Sequence, residues 1–540
     1  MINLKKMNNI KLSLKEKIGQ LFMYGFYGKE LPERVENFIN NNNIGFIILF
    51  SRNIESALQV VELTNKIHSM GKVTPFLYTD QEGGTVVQFK EIAATVISHM
   101  GIAATYNKKN ARIAGKIIGK EMNVLGIDGV FAPVLDVNYE ENNPIIGVRS
   151  FSDKPDIVIN FAKEFFFGLN EEGVIACGKH YPGHGGTTKD SHLEIPKTYI
   201  SSEYFFYYCF RPFAELAKIK IDSIMSSHVL FPNISGKIAT FSPYFINELL
   251  REKTGYNGVV FSDCVEMKAI KDNFSPEEIV KNSINAGIDV IVSSHDFDFQ
   301  KELFEVLFFY VKKGFIKEKR IDASISRILN LKKRYFNDIE RKIRDKDNVS
   351  IKLRSNIELE RKIADNSITL LRNKMRIIPM DKEKKVLILE WEKVKATSAI
   401  QEAENVSMLG PIGKKYLKDV DIKILKLNGK IPKSLEFKLE EYSYVIAGVY
   451  SRNPEIEKIQ GNAIKKIIKL RKDLIVVALG NPYDIRNFPS VNTYIVTYGF
   501  RTVQLESLFK IIIGKIKPHG KLPVEIKDIF PRGYGILHLS

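Results

Sequence analysis

Residues 173–192 read Gly-Val-Ile-Ala-Cys-Gly-Lys-His-Tyr-Pro-Gly-His-Gly-Gly-Thr-Thr-Lys-Asp-Ser-His, an apolar run that stops on Lys179 and His180 and passes into a glycine-rich loop. A strand that is apolar along its length is covered on both faces, and a polar residue at its end is delivered to an opening. The same design recurs at residues 258–267, Gly-Val-Val-Phe-Ser-Asp-Cys-Val-Glu-Met, where the run ends on Asp263. Outward from these two lie six more short apolar runs, at 20–26, 44–50, 75–80, 129–136, 222–229 and 287–294, separated by stretches of helical length. With 173–180 and 258–263 they make eight, the rhythm of a (β/α)8 TIM-like barrel, although alternation alone also describes an open doubly wound sheet. Asp80, Asp136, His180, His228 and Asp263 stand at or near the ends of their runs, where a barrel places its chemistry.

Two of these features form a chemical pair. Asp190 precedes His192 by two residues, a spacing at which a carboxylate grips an imidazole and sets its basicity. Asp263 supplies a second, separate carboxylate. A tunable proton donor and a carboxylate nucleophile are what glycoside cleavage with retention requires. Each has a plainer reading. Asp263 and Glu266 are spaced as an N-cap and its N3 partner, and Asp190-Ser191 is a common turn dipeptide. Gly183, Gly185 and Gly186 are expected to make the loop before His192 mobile, which suits a donor that swings over substrate. His180, His184 and His192 are too loosely spaced, on too glycine-rich a run, for a zinc site, and the order of residues expected of a phosphate-binding loop is missing.

The chain resembles glycoside hydrolase family 3, and within it the β-N-acetylglucosaminidase branch. The segment 179–192 carries Lys-His, an aromatic residue, Pro-Gly, one residue, Gly, four residues and Asp-Ser-His, as that branch does. The likeness continues through residues 14–26, Asp80-Gln81-Glu82-Gly83-Gly84, Pro133-Val134-Leu135-Asp136, Asn143-Pro144, Arg149-Ser150-Phe151 and Gly520-Lys521-Leu522-Pro523-Val524. The resemblance decides for the barrel. It implies Asp263 as nucleophile, Asp190 and His192 as the acid/base pair, and Asp80, Arg149, Lys179, His180 and Met267 around the terminal sugar. It departs at Gln88, where the branch has an arginine, and at Gly186, where an aspartate is common. Gln88 is expected to meet a sugar hydroxyl without a charge, leaving sugar preference open. The implied activity is removal of a terminal β-linked N-acetylglucosamine from muropeptides or chitin-type oligosaccharides, with no cofactor and no metal. Phosphorolysis, a β-glucosidase or xylosidase activity, and an inactive sugar-binding protein are the alternatives.

Composition bounds the rest. With 540 residues, 44% of them hydrophobic, the chain is expected to hold more than one domain. We expect the barrel at 1–336, a charged linker at 337–357 and an αβα sandwich at 358–540. In the last part a helical segment carrying residues 363–371 leads into strand-like runs at 386–390, 444–450, 474–479 and 493–499. Cys177, Cys209 and Cys264 are too few and scattered for a disulfide framework or a zinc site. The net charge of +17 comes from lysines spread over the whole chain, without an arginine stripe or aromatic platform, so neither nucleic acid nor membrane is an expected partner. With no leader-like or spanning segment read in the sequence, a cytoplasmic location is expected.

Overall fold

A computed structural model of the chain describes residues 11–90, 92–188, 195–342, 353, 355–392, 409–428, 430–450 and 454–539. Asp190 and His192 lie outside the described residues. All eight apolar runs become strands: β1 (Phe22–Tyr24), β2 (Phe46–Leu49), β3 (Phe76–Thr79), β4 (Gly129–Val130), β5 (Ile175–Tyr181), β6 (Ser223–Ser226), β7 (Val259–Cys264) and β8 (Val290–Ser293). Each pairs in parallel with the next, and β8 returns to β1, closing the barrel. The lumen is packed rather than hollow. Phe46 on β2 and Phe261 on β7, strands that are not neighbours, meet across it at 5.3 Å between ring centroids, with Tyr78 at 5.3 Å from Phe261 and Phe131 at 5.6 Å.

The end of the barrel where its strands begin is closed by buried polar networks. Lys332 donates from Nζ to Gly45 O at 2.7 Å and to Gln20 Oε1 and Thr74 O at 2.9 Å, groups that precede β2, β1 and β3. Asp289, just before β8, accepts from Arg251 at 2.7 Å and from Arg327 at 2.8 Å. Lys332 and Arg327 both belong to a helix, Glu318–Lys342, which runs six residues into the expected linker. Charge made that stretch look like a linker, but residues 337–354 contain neither glycine nor proline to stop a helix. Most of the remaining linker span is outside the described residues.

The second domain is a six-stranded sheet, built from β9 (Thr369–Asn373), β10 (Lys385–Trp391), β11 (Asp419–Leu425), β12 (Tyr444–Val449), β13 (Ile475–Ala478) and β14 (Thr493–Val496) in the order β9-β14-β13-β12-β10-β11. β9 is antiparallel to β14 and the other pairs are parallel. Two strands differ from expectation. The helix preceding the sheet ends at Ser367, and residues 369–371, read as its continuation, open β9; the β-branched Ile368 and Thr369 favour extended backbone. The edge strand β11, Asp-Val-Asp-Ile-Lys-Ile-Leu, is too polar and exposed to stand out as an apolar run.

The two domains share a core in which Met100, Ala104 and Val148 pack with residues of the second sheet. Arg501 donates to Gly84 O at 2.7 Å, Ser98 to Tyr498 O at 2.6 Å, and Arg532 bonds Asp153 twice at 2.9 Å. The second domain therefore braces the segment after β3, which carries Asp80 and Glu82. Among the described residues no helix is long and apolar enough to cross a membrane.

Candidate active site

The strand ends open into a cavity of about 290 Å³. Asp80, Arg149, Lys179, His180, Asp263 and Met267, six of the residues named from sequence, line it together. They come from the ends of β3, β5 and β7, the turn after β7, and the 3-10 turn Gly147–Arg149. Asp263 follows the buried Val259–Ser262 stretch of β7, and its Oδ1 accepts from the Cys264 N–H at 2.8 Å. The alternative capping arrangement does not form: the next helix, Lys268–Lys271, has Met267 as its N-cap. Glu266 instead turns to the end of β8, accepting from Ser293 Oγ, from Asp296 N–H at 3.1 Å and from His295 Nδ1 at 3.0 Å.

Opposite Asp263 stands a chain of alternating charges. Lys179 Nζ lies 2.7 Å from Asp80 Oδ1 and 2.7 Å from Glu82 Oε1. Arg149 grips Glu82 with two bonds, Nη2 to Oε1 at 2.7 Å and Nε to Oε2 at 2.9 Å. Its Nη2 also reaches His180 Nε2 at 3.2 Å, and His180 Nδ1 lies 2.7 Å from Asp136 Oδ2. An arginine has only protons to offer, so His180 Nε2 accepts and its proton sits on Nδ1, facing Asp136. Asp136 Oδ1 takes the His184 N–H at 2.6 Å, which ties the start of the glycine loop to the same carboxylate.

Burial sets the electrostatics. It works against ionising Glu82, but Arg149 and Lys179 outweigh it and hold the carboxyl far below its ordinary pKa. It works equally against the Lys179 ammonium, which Asp80 and Glu82 keep above its usual value. Asp136 is likewise held low, against burial, by His180 and His184. Burial, with His180 alongside, pushes His184 down to about 4, so this imidazole is neutral at neutral pH.

Two expectations need correction. Gln88 does not line the cavity: its amide oxygen accepts from the Ser51 N–H at 3.0 Å and the residue is buried. The glycines of 183–186 serve close packing. A Cβ on Gly185 would lie 1.7 Å from Val137 O, and one on Gly186 2.0 Å from Tyr139 Oη. Residues 182–185 and Thr187 are buried, with His184 Nδ1 bonded to Thr187 Oγ1 at 2.7 Å, so this part of the loop is packed; the rest of it, up to His192, is largely outside the described residues. Sequence reasoning missed Glu82, Cys264, Glu266 and His295 as members of the site. The polar triplet Ser293-Ser294-His295 at the end of β8 carried the same strand-end signal as the others. His228, which carried that signal, stands outside the cavity and bonds Cys264 O at 3.1 Å.

An apolar-floored, polar-walled cavity with one carboxylate facing a cluster of cations, acids and imidazoles can grip hydroxyls and attack an electrophilic carbon. The comparisons with known proteins agree with that chemistry. A β-hexosaminidase A of Pseudoalteromonas piscicida is 32% identical over 330 residues, 56% of this chain and 55% of the relative. A β-hexosaminidase of Haemophilus influenzae is 35% identical over 273 residues, 49% of this chain and 76% of the relative. The solved structure of a glycoside hydrolase family 3 β-N-acetylglucosaminidase from a Paenibacillus strain superposes with a TM-score of 0.85 at 31% identity, covering 96% of this chain and 99% of that one. Residues 13–331 match the glycosyl hydrolase family 3 N terminal domain, and with the barrel, the sandwich and the site in place, this chain belongs to glycosyl hydrolase family 3.

Proposed function

We propose that this chain is a retaining, exo-acting β-N-acetylglucosaminidase. The observation that carries the reading is Asp263 at the mouth of β7, facing Arg149, Lys179, Asp80 and His180 across one cavity. At about 290 Å³ the cavity lies at the small end of ligand pockets, which suits one sugar ring and hence removal of a terminal residue. In the proposed reaction the Asp263 carboxylate attacks the anomeric carbon, while His192, oriented by Asp190, protonates the departing oxygen. The same histidine then takes a proton from water as water opens the glycosyl ester. Arg149 and Lys179 donate to the sugar hydroxyls and Asp80 accepts from them. Muropeptides or chitin-type fragments in the cytoplasm are the proposed substrates.

The test is turnover of chromogenic β-N-acetylglucosaminides beside β-glucosides and β-xylosides, each with and without phosphate. Preference for the N-acetylglucosaminide, with the β-anomer of the free sugar released first, is the expected result. Outright preference for a glucoside, acceleration by phosphate with sugar phosphate as product, or no turnover would each refute the reading.

A further inference from the structure

On the cavity wall beside Asp263, three potential metal donors converge. Cys264 Sγ, a Glu266 carboxylate oxygen and a His295 ring nitrogen all lie within 4.8 Å of one another, and no other such set is found among the described residues. They are linked already: Cys264 Sγ is 3.1 Å from Ser294 Oγ, which is 2.8 Å from His295 Nδ1, which is 3.0 Å from Glu266 Oε2. All three line the sugar cavity, so a cation reaches them through the substrate's own entrance. The cleavage chemistry proposed above uses none of them.

The donor set selects the ion. One sulfur, one imidazole and one carboxylate suit zinc, whereas calcium and magnesium want oxygen alone. Three protein ligands would leave a fourth tetrahedral position open, and all three residues line the cavity. Cys264 is paired with Val292 of β8, Ser294 directly follows that strand, and Phe50 lies 5.6 Å from the His295 ring. Arg52 is the opposing charge nearby; its guanidinium bonds Phe26 O at 2.9 Å and Ser294 O at 2.6 Å, and its field acts on Glu266 and Cys264. Two anionic ligands outweigh it once the thiol is ionised. The thiolate is the ligand form of cysteine, so binding expels the thiol proton: Cys–SH and the metal ion give the metal thiolate and one proton released to buffer.

We propose that Cys264, Glu266 and His295 form a zinc site on the wall of the sugar cavity, and that zinc held there blocks the space next to Asp263 and inhibits the enzyme. Binding stands on the geometry alone; only the inhibition rests on the glycosidase reading. The site is tested by titrating the full chain with cobalt(II) as an optical probe. The expected result is one cobalt per chain, a near-ultraviolet thiolate-to-cobalt charge-transfer band, one proton released, and displacement by zinc. Cys264→Ser should remove the band and weaken binding by at least roughly 10–100-fold, the loss that follows even from removing a group behind a ligand. His295→Ala, at a partly exposed side chain, should weaken binding similarly with an unchanged thermal midpoint. A missing band, or wild-type affinity in both variants, overturns the site whether or not the enzyme is active. With a chromogenic substrate, zinc should raise the apparent KM over the same concentrations at which it binds; binding without inhibition overturns the blocking role.

Discussion

Glu82 does not line the cavity, yet the two cations that do, Arg149 and Lys179, depend on it, and Glu82→Gln tests that dependence. Its two oxygens accept three bonds, Oε1 from Arg149 Nη2 and Lys179 Nζ and Oε2 from Arg149 Nε, at 2.7 to 2.9 Å, in a side chain that is 1% exposed. A glutamine has one oxygen. Whichever way its amide turns, its NH2 faces a buried cation, leaving at least one donor unpaired. Breaking a buried ion pair from one side costs about 3–5 kcal/mol, and at about 2 °C per kcal/mol for a large domain the thermal midpoint should fall by about 6–10 °C. The pH dependence has a definite sign. A carboxyl whose folded pKa lies below its unfolded value of about 4.3 contributes fully above that value and loses its contribution as pH falls through the folded pKa. Wild type should therefore lose stability on acidification below about pH 4.3 more steeply than Glu82→Gln, whose curve lacks this contribution. Differential scanning fluorimetry from pH 3 to 8 reads both quantities, and kinetics at pH 7 should show a raised KM as Arg149 and Lys179 lose their fixed positions. A variant with the wild-type midpoint and acid slope would refute the assignment of Glu82 as the buried anchor.

Asp263→Asn should abolish turnover while leaving stability within about 1 kcal/mol of wild type, because the amide keeps the shape but cannot form a stable glycosyl ester; a slow 2-fluoro substrate should label the peptide containing Asp263, and label elsewhere removes the role. His192→Ala should slow substrates with poor leaving groups by about 10²–10⁴-fold while sparing activated aryl glycosides, and Asp190→Ala should do so more mildly; equal losses on both would make His192 a binding residue. Gly186→Asp should destabilise by about 1–3 kcal/mol, since its Cβ would lie 2.0 Å from Tyr139 Oη, and combination with Tyr139→Ala should cost less than the sum of the two changes; strict additivity in denaturation would show that the two sites do not meet. Gln88→Ala should lower stability by about 1 kcal/mol through the lost acceptor for Ser51 N–H and leave the ratio of N-acetylglucosaminide to glucoside turnover unmoved; a changed ratio would return Gln88 to the sugar.

The barrel was legible because all eight runs are apolar and buried, a pattern that survives in composition alone. β11 was not, since its exposed edge mixes Asp419, Asp421 and Lys423 with Val420, Ile422 and Ile424. β9 was not, because a helix and a strand meet there within two residues and the apolar pattern runs through the joint. Within the site, the strand-end rule found Asp80, His180 and Asp263 but could not say which acid in Asp80-Gln81-Glu82 faces the sugar; only the fold turns Asp80 to the cavity and Glu82 behind it. The glycines of 183–186 misled for a related reason. Glycine signals either freedom or close approach, and the neighbours that decide, Val137 O and Tyr139, lie more than forty residues away in sequence.

The arrangement of buried acids also bears on how the cavity keeps its shape. Asp80, Lys179, Arg149, His180 and His184 line it, whereas Glu82 and Asp136 do not; each of these two carboxylates stands behind a pair of lining groups and bonds both. Placed this way, Glu82 takes only three of the eight protons that Lys179 and Arg149 together offer, leaving the others for neighbouring groups and for a ligand. The layer of polar groups is thus oriented by bonds that no substrate has to form. A hydroxyl entering the site meets donors whose orientation was fixed when the protein folded, so more of its binding energy is available for the distortion that cleavage needs. Asp136 extends the same logic to the loop: by taking both the His180 ring proton and the His184 N–H it joins the end of β5 to the start of the glycine-rich segment, so one carboxylate fixes both of these lining residues.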